Sequence, residues 1–153
     1  MSGLYEQFQQ SIRSAAPLID GLCLVLQREE QDLELHFETG ELVYTAVCDP
    51  AQMATFVVKI GDVPIENREA VLASLLRHPD SQQNLEMMFP AINAEEEACL
   101  IATLLATSSE QAIVATVQRL MERSQFWVRE FPRICGKPAV GGLTAPAPPY
   151  CWA

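Results

Sequence analysis

Four apolar segments, separated by turn residues, constrain the fold of this chain most, because they predict consecutive strands. They cover residues 22–27, 33–37, 42–48 and 53–60. In the second segment, Leu33, Leu35 and Phe37 alternate with polar residues, which is the pattern of a strand with one solvent-exposed face. In the first segment, apolar residues occupy both sets of alternating positions. This pattern predicts a strand that is covered on both faces.

Helical patterns flank these strands. Residues 3–16 carry apolar residues at three- and four-residue spacing, and Pro17 ends the segment because a proline disfavours helical geometry in the residue before it. A second helix is predicted at residues 66–77, where the sequence His78-Pro79-Asp80 stops it. Its apolar stripe consists of Val71, Leu72, Leu75 and Leu76.

Two further strands and a last helix complete the pattern. The strands are predicted at residues 84–90 and 98–105. Ser108 and Gln111 have the spacing of a capping box, which predicts a helix that continues to Pro132. The order of elements predicts one α+β domain over residues 1–135, with three helices grouped around an antiparallel sheet. The remaining residues, 136–153, are rich in proline and glycine and predict a flexible tail.

The charge of the chain argues against several classes of partner. Ten Lys and Arg residues stand against twenty Asp and Glu residues, which gives a formal net charge of −10. No basic cluster is present that could neutralise phosphates, so we expect neither nucleic acid nor an anionic membrane surface as a partner. No apolar run approaches the roughly 18 residues of a membrane span. The first residues lack the pattern of a signal peptide, so we expect the protein to stay where it is made.

The residues that could carry chemistry are few. The five cysteines are irregularly spaced without a CxxC pair, so we expect reduced thiols and neither a disulfide framework nor a metal site. No phosphate-binding glycine motif occurs, and Glu95-Glu96-Glu97 is interpreted as a charged loop. An enzyme that uses Cys48 or Cys23 with His36 stays an alternative, because spatial proximity cannot be read from sequence. We expect no catalytic residue, no cofactor and no enzymatic activity.

The whole pattern resembles the class I type III secretion chaperones, also called the Tir-chaperone family. The segment GLYEQFQQSIRSA is similar to the first helix of that family. The segment MATFVVKIGDVP followed by EAVLASLL is similar to its passage from the third strand to the second helix. The segments LEMMFP, ACLIATLLA and SSEQAIVATVQRLMERSQFWVREF are similar to its closing hairpin and last helix. The proline- and glycine-rich tail and the long first strand depart from the family pattern.

The resemblance implies a function and a set of contacts. It implies a cytoplasmic bacterial homodimer that binds the extended N-terminal segment of a secreted effector and keeps it non-globular. On this interpretation, Val71, Leu72, Leu75 and Leu76 form the dimer interface. The effector would contact apolar grooves, to which we assign Leu4, Phe8, Leu33, Leu35 and Phe37. The second-helix leucines fit an ordinary intramolecular core equally well, because apolar periodicity shows burial without showing the partner.

Two further alternatives remain open at the level of sequence. The same fold could sequester an anti-activator or a transcription regulator of the secretion system, through the same grooves. A small-molecule binder with an apolar cavity is the weaker of the two. Deletion of the gene would separate a chaperone from a regulator, because loss of a chaperone would abolish secretion of one effector and loss of a regulator would change transcription of the secretion genes. A closed monomer with a deep pocket would favour the small-molecule binder.

Overall fold

The computed structural model describes residues 3–28, 32–79 and 88–144. Helix α1 (Leu4–Ala15) is followed by a 3₁₀ turn at Ala16–Leu18 that contains Pro17. The next strands are β1 (Leu22–Gln27), β2 (Asp32–Phe37), β3 (Leu42–Cys48) and β4 (Met53–Asp62). A 3₁₀ turn at Ile65–Asn67 leads into α2 (Arg68–Arg77). The chain continues with β5 (Met88–Ile92), β6 (Glu97–Leu105) and α3 (Glu110–Thr144).

The strands form one sheet, and the predicted fold class is confirmed. Among the described residues the sheet has six strands in the order β1-β2-β3-β4-β6-β5. The pairs β1–β2, β2–β3 and β3–β4 are antiparallel, as expected for strands joined by short turns. For the strand predicted at residues 84–90, residues 84–87 lie outside the described part of the chain, and the described strand β5 covers Met88–Ile92.

The chain divides into two compact units, and the first comprises residues 1–58 and 101–122. Its core is formed by one face of α1, one face of β2 to β4, and the first turns of α3. The rings of Phe8 and Phe56 meet edge to face at 6.0 Å between centroids, which places α1 against the sheet. From α3, Ile113, Val117 and Leu120 are fully buried.

The second unit comprises residues 59–100 and 123–153. In this unit the Phe131 ring of α3 lies so close to the backbone of β4 that a Cβ atom on Gly61 would be 2.5 Å from its Cδ2 atom. Lys59 Nζ lies 2.8 Å from Asp62 Oδ1 and 2.7 Å from Glu97 Oε2, so an ion pair ties β4 to β6. The Glu97 carboxylate also accepts a hydrogen bond from Asn93 Nδ2 at 3.0 Å.

Helix α3 differs from the prediction at both ends. Its capping side chain is Ser109, whose Oγ accepts a hydrogen bond from the Ala112 N–H at 3.2 Å, so the predicted Ser108 cap is wrong by one residue. The helix also continues past Pro132, where we expected it to end. Phe131 and Ile134 are both buried, and burial on either side of the proline offsets the hydrogen bond that proline cannot make.

The C-terminal segment was predicted to be a flexible tail from residue 136. The structure assigns helix through Thr144, and residues 145–153 lie outside the described part of the chain. The boundary between domain and tail therefore stays a prediction. Within the described residues, no helix combines the length and the apolar character that crossing a bilayer requires.

Candidate functional site

The four strands β1 to β4 have two faces of different character. On one face, the alternating residues of β2 to β4 are buried in the core of the first unit: Leu33, Leu35, Phe37, Val43, Thr45, Ala54, Phe56 and Val58. The strand register places a second set on the opposite side, which we call the open face: Leu24, Leu26, Asp32, Glu34, His36, Leu42, Tyr44, Ala46, Thr55 and Val57. The open face is therefore the surface of this unit that carries candidate contacts.

Large apolar side chains of the open face are exposed to solvent. The exposed fraction is 49% for Leu24, 41% for Leu26 and 39% for Tyr44. Leu26 lies opposite Glu34 on β2, and Glu34 lies opposite Tyr44 on β3. Apolar side chains thus flank β2 on both sides, and clustered exposed apolar surface of this kind is characteristic of interaction sites.

A paired carboxylate lies between these apolar side chains. Glu34 has an exposed fraction of only 7%, although its strand position predicted a solvent-exposed side chain. Its Oε1 atom lies 2.8 Å from Arg28 Nη1, and its Oε2 atom lies 2.9 Å from His36 Nε2. A carboxylate tolerates such burial because both oxygens have hydrogen-bonding partners. The middle of β2 on the open face is therefore polar, and both oxygens of the Glu34 carboxylate have hydrogen-bonding partners.

A groove on the open face brings charged and apolar side chains together. Its volume is about 390 Å³, and it is lined by Arg28, Asp32, Glu34, Tyr44, Thr45, Ala46, Thr55 and Val57. Arg28 follows the end of β1, and the other lining residues come from β2, β3 and β4, which are held in place by the sheet ladder. This groove is large enough for one side chain. Few apolar residues line it, so it does not suit a small molecule that must be buried.

Strand β1 forms one end of the strand order. Its ladder with β2 shifts register between Leu22 and Leu24, which leaves Cys23 at an irregular position. A strand at the end of a sheet presents backbone N–H and C=O groups on its outer side, and an extended peptide can pair with them. The most exposed leucines of the open face, Leu24 and Leu26, lie on this same strand.

The predicted effector-binding residues mostly lie elsewhere. Phe8, Leu33 and Leu35 have at most 1% of their surface exposed, and Phe37 has 8%. They belong to the core face, so assigning effector contacts to them does not fit this conformation. The reason is that alternation in β2 marks the face packed against α1 rather than a groove. Leu4 is partly exposed, and its role as a contact stays a prediction.

The predicted dimer residues divide into two groups. Val71 and Leu75 are fully buried within the second unit, as ordinary core residues would be. Leu72 is partly exposed, and Leu76 has 48% of its surface exposed. Only Leu72 and Leu76 therefore present surface that a second copy of the chain could contact.

Cys48 and His36, one pair of the alternative enzyme hypothesis, lie far apart in the sheet. His36 lies opposite Leu42, at the start of β3, whereas Cys48 is the last residue of that strand. Six residues of strand separate the two positions by roughly 20 Å. Cys23 directly precedes Leu24, which pairs with His36, so the alternative that uses Cys23 stays open. In the structure Cys23 Sγ donates to the Gly21 carbonyl oxygen at 3.7 Å, and His36 contacts Glu34. Within the described residues, no cluster of potential metal ligands is found.

Sequence reasoning missed the open face because β1 was expected to be covered on both sides. Apolar residues at consecutive positions predict burial, yet Cys23, Leu24 and Leu26 are all exposed. The same apolar pattern could have indicated the candidate site, if one face of β1 had been assigned to the core and the other to exposed apolar surface.

The comparisons with known proteins concern the fold. No protein-family model matches the sequence, and no curated protein matches it significantly. Three complexes are among the solved structures that have a similar fold. The Yersinia pestis type III secretion chaperone SycH in complex with a stable fragment of YscM2 matches with a TM-score of 0.55 and 11% identity, over 81% of this chain and 98% of the matched chain.

The other two structures are also complexes. The ExsC–ExsE complex matches with a TM-score of 0.63 and 17% identity, over 84% of this chain and 96% of the matched chain. The HopA1–SchA chaperone–effector complex matches with a TM-score of 0.55 and 8% identity, over 82% and 91%. The chain therefore has the α+β fold of type III secretion chaperones, as the resemblance predicted.

Proposed function

We propose that this protein is a type III secretion chaperone that binds an unfolded segment of an effector on the open face. The observation that carries the proposal is the exposed apolar surface of β1 and β3, on a fold shared with chaperones solved in complex with a partner. The chain acts by binding, without catalysis and without a cofactor, and it does so in the bacterial cytoplasm.

The open face offers two sources of binding free energy. Burying a leucine side chain fully contributes about 1.5–3 kcal/mol, and Leu24 and Leu26 both have surface left to bury. The outer edge of β1 adds backbone hydrogen bonds for an extended segment. A bound segment must be ordered at an entropic cost, so a large contact surface suits an unfolded partner better than a small one. An effector segment held in this way stays non-globular.

A homodimer formed through α2 is part of the same proposal. Leu72 and Leu76 are one helical turn apart, so their side chains lie on one side of α2. An isologous contact places the same residues of both copies together, and two leucines per copy would form its apolar centre. Two copies would also double the open surface for one long effector segment.

Co-expression with proteins encoded by neighbouring genes tests the proposal. We expect a secreted protein to co-purify with the chain through its N-terminal segment. The double variant Leu24→Glu/Leu26→Glu should lose this partner, because two charges would have to be buried in the interface. Val128→Glu is the matched control, since Val128 has a similar exposed fraction of 46% but lies on α3.

Three results would count against the proposal. The first is that no protein encoded by a neighbouring gene co-purifies with the chain. The second is that the Leu24→Glu/Leu26→Glu variant retains the partner as the Val128→Glu control does. The third is that both variants lose the partner equally. A partner that regulates transcription and is not secreted would instead support the regulatory alternative. The open face would then still be the binding surface, with a different cargo.

A further inference from the structure

The groove on the open face combines acidic and aromatic groups in a way that suits one kind of side chain. Asp32 and Glu34 are two residues apart on β2, so both project from the same face about 7 Å apart. Tyr44 lies directly opposite Glu34 on β3, with 39% of its surface exposed. Ala46 and Val57 line the groove beside these residues. A planar cation on an aliphatic stem matches this arrangement.

Glu34 and Asp32 differ in their ion-pair partners. Glu34 has Arg28 and His36 as partners, at 2.8 and 2.9 Å. The structure gives Asp32 no ion-pair partner among the described residues, and its side chain is exposed at the groove. Arg28 shows that a guanidinium fits against this carboxylate strip while 66% of its side chain stays exposed. The Arg28–Glu34 pair is thus an example of a guanidinium–carboxylate contact on this face, and Asp32 offers a second carboxylate for the same kind of contact.

We infer that the groove binds an arginine side chain of the partner polypeptide, flanked in the partner by apolar residues that contact Leu24 and Leu26. Asp32 accepts hydrogen bonds from the guanidinium, and the Tyr44 ring stacks against its plane. The aliphatic stem lies over Ala46 and Val57. The net charge of −10 favours the approach of a cationic segment over an acidic one. This inference rests on the proposed function, and it specifies which polypeptide segments the open face selects.

A titration with two synthetic peptides tests the inference. In the first peptide, valine alternates with serine and the central valine is replaced by arginine. In the second, citrulline takes the place of arginine, which keeps the shape and removes the charge. Binding is followed by amide chemical shifts of the full-length chain, since these detect weak complexes and locate them. We expect about three- to tenfold tighter binding of the arginine peptide, the range for one partly exposed ion pair with an aromatic contact.

Two variants of the chain assign this preference to the groove. Asp32→Asn should reduce the preference for arginine to nearly none, because the amide keeps the size of the side chain and loses its charge. Asp20→Asn is the matched control, since Asp20 is an exposed acidic residue before the start of β1, at the far end of that strand from Arg28. The control should keep the preference unchanged.

The other outcomes would contradict either the arginine site alone or the proposed binding surface as well. Equal binding of both peptides at the open face would refute the arginine site and leave the proposed function standing. A preference that persists in Asp32→Asn would also refute the site, because the cation would then lie elsewhere. If neither peptide shifts resonances of the open face, the proposed binding surface fails and the inference fails with it.

Discussion

At the scale of single residues, Glu34 shows why the polar positions of a strand cannot be read from sequence alone. Alternation predicted a solvent-exposed side chain, but Glu34 is 7% exposed because Arg28 and His36 cover it. The Arg28 side chain reaches Glu34 from beyond the end of β1, a position that no local pattern links to β2. Charged pairs between strands depend on register, and register becomes known only from the sheet.

The pairing makes a prediction for stability. Arg28→Met should lower the free energy of unfolding by about 1–2 kcal/mol, since a nearly buried carboxylate loses one of two partners while Arg28 itself is largely exposed. Urea denaturation measures the change. Arg133→Met is the control, because Arg133 pairs with Glu130 on the surface of α3 at 3.3 Å and should cost no more than about 0.5 kcal/mol. Equal losses in both variants would contradict this description of Glu34.

At the scale of elements, the ends of helices and strands were predicted correctly where nearby residues, such as a proline, determine them. Helix α2 ends at Arg77 as predicted, because His78 precedes Pro79 and has an extended backbone with ψ of 138°. Helix α3 passes Pro132 because Phe131 and Ile134 are buried, and burial against another element is not a local signal. The sequence similarly could not show which face of β1 meets the core.

The start of α3 gives a prediction that separates two adjacent serines. Ser109→Ala should destabilise the protein by about 1 kcal/mol, since Ser109 Oγ accepts the hydrogen bond from the Ala112 N–H. Ser108→Ala should change the unfolding midpoint little. Thermal or urea denaturation of the two variants measures both effects. A larger loss for Ser108→Ala would restore the capping box with Gln111 that the sequence suggested.

The ion pair between β4 and β6 predicts a pH dependence. Hydrogen bonds from Lys59 and Asn93 lower the pKa of Glu97 below 4.5, its ordinary value. Its contribution to stability is therefore complete above that value and is lost as the pH falls through the lowered pKa of the folded state. The hydrogen bonds that Lys59 donates to Asp62 and Glu97 raise the pKa of Lys59, so the same contact persists at mildly alkaline pH.

Urea denaturation at several pH values measures this contribution. The difference in unfolding midpoint between the wild type and Lys59→Met should be largest near neutral pH. It should shrink as the pH is lowered from about 5 toward about 2, because protonated Glu97 no longer pairs with Lys59. A difference that stays constant over this range would show that Lys59 stabilises the fold through its aliphatic stem instead.

At the scale of the whole molecule, a fold shared with known structures carries the exposed apolar side chains of the open face. The fold class and the order of elements could be predicted from sequence, because strand alternation and helix stops are local. The proposed binding surface could not be predicted from sequence, since the apolar residues that we assigned as contacts, such as Leu33 and Leu35, are buried in the core. The surface proposed instead carries Leu24, Leu26 and Tyr44, whose exposure depends on the packing of the other face.

The central claim is that the open face binds an unfolded polypeptide segment, and hydrogen–deuterium exchange of the co-purified complex tests it most directly. Exchange is compared between the free chain and the chain with its partner, using peptides that cover β1, β3 and α2. We predict slower exchange in β1 and β3 on binding, because the partner pairs with the edge of β1 and covers Leu24, Leu26 and Tyr44. Unchanged exchange in both strands while the partner is bound would contradict the claim.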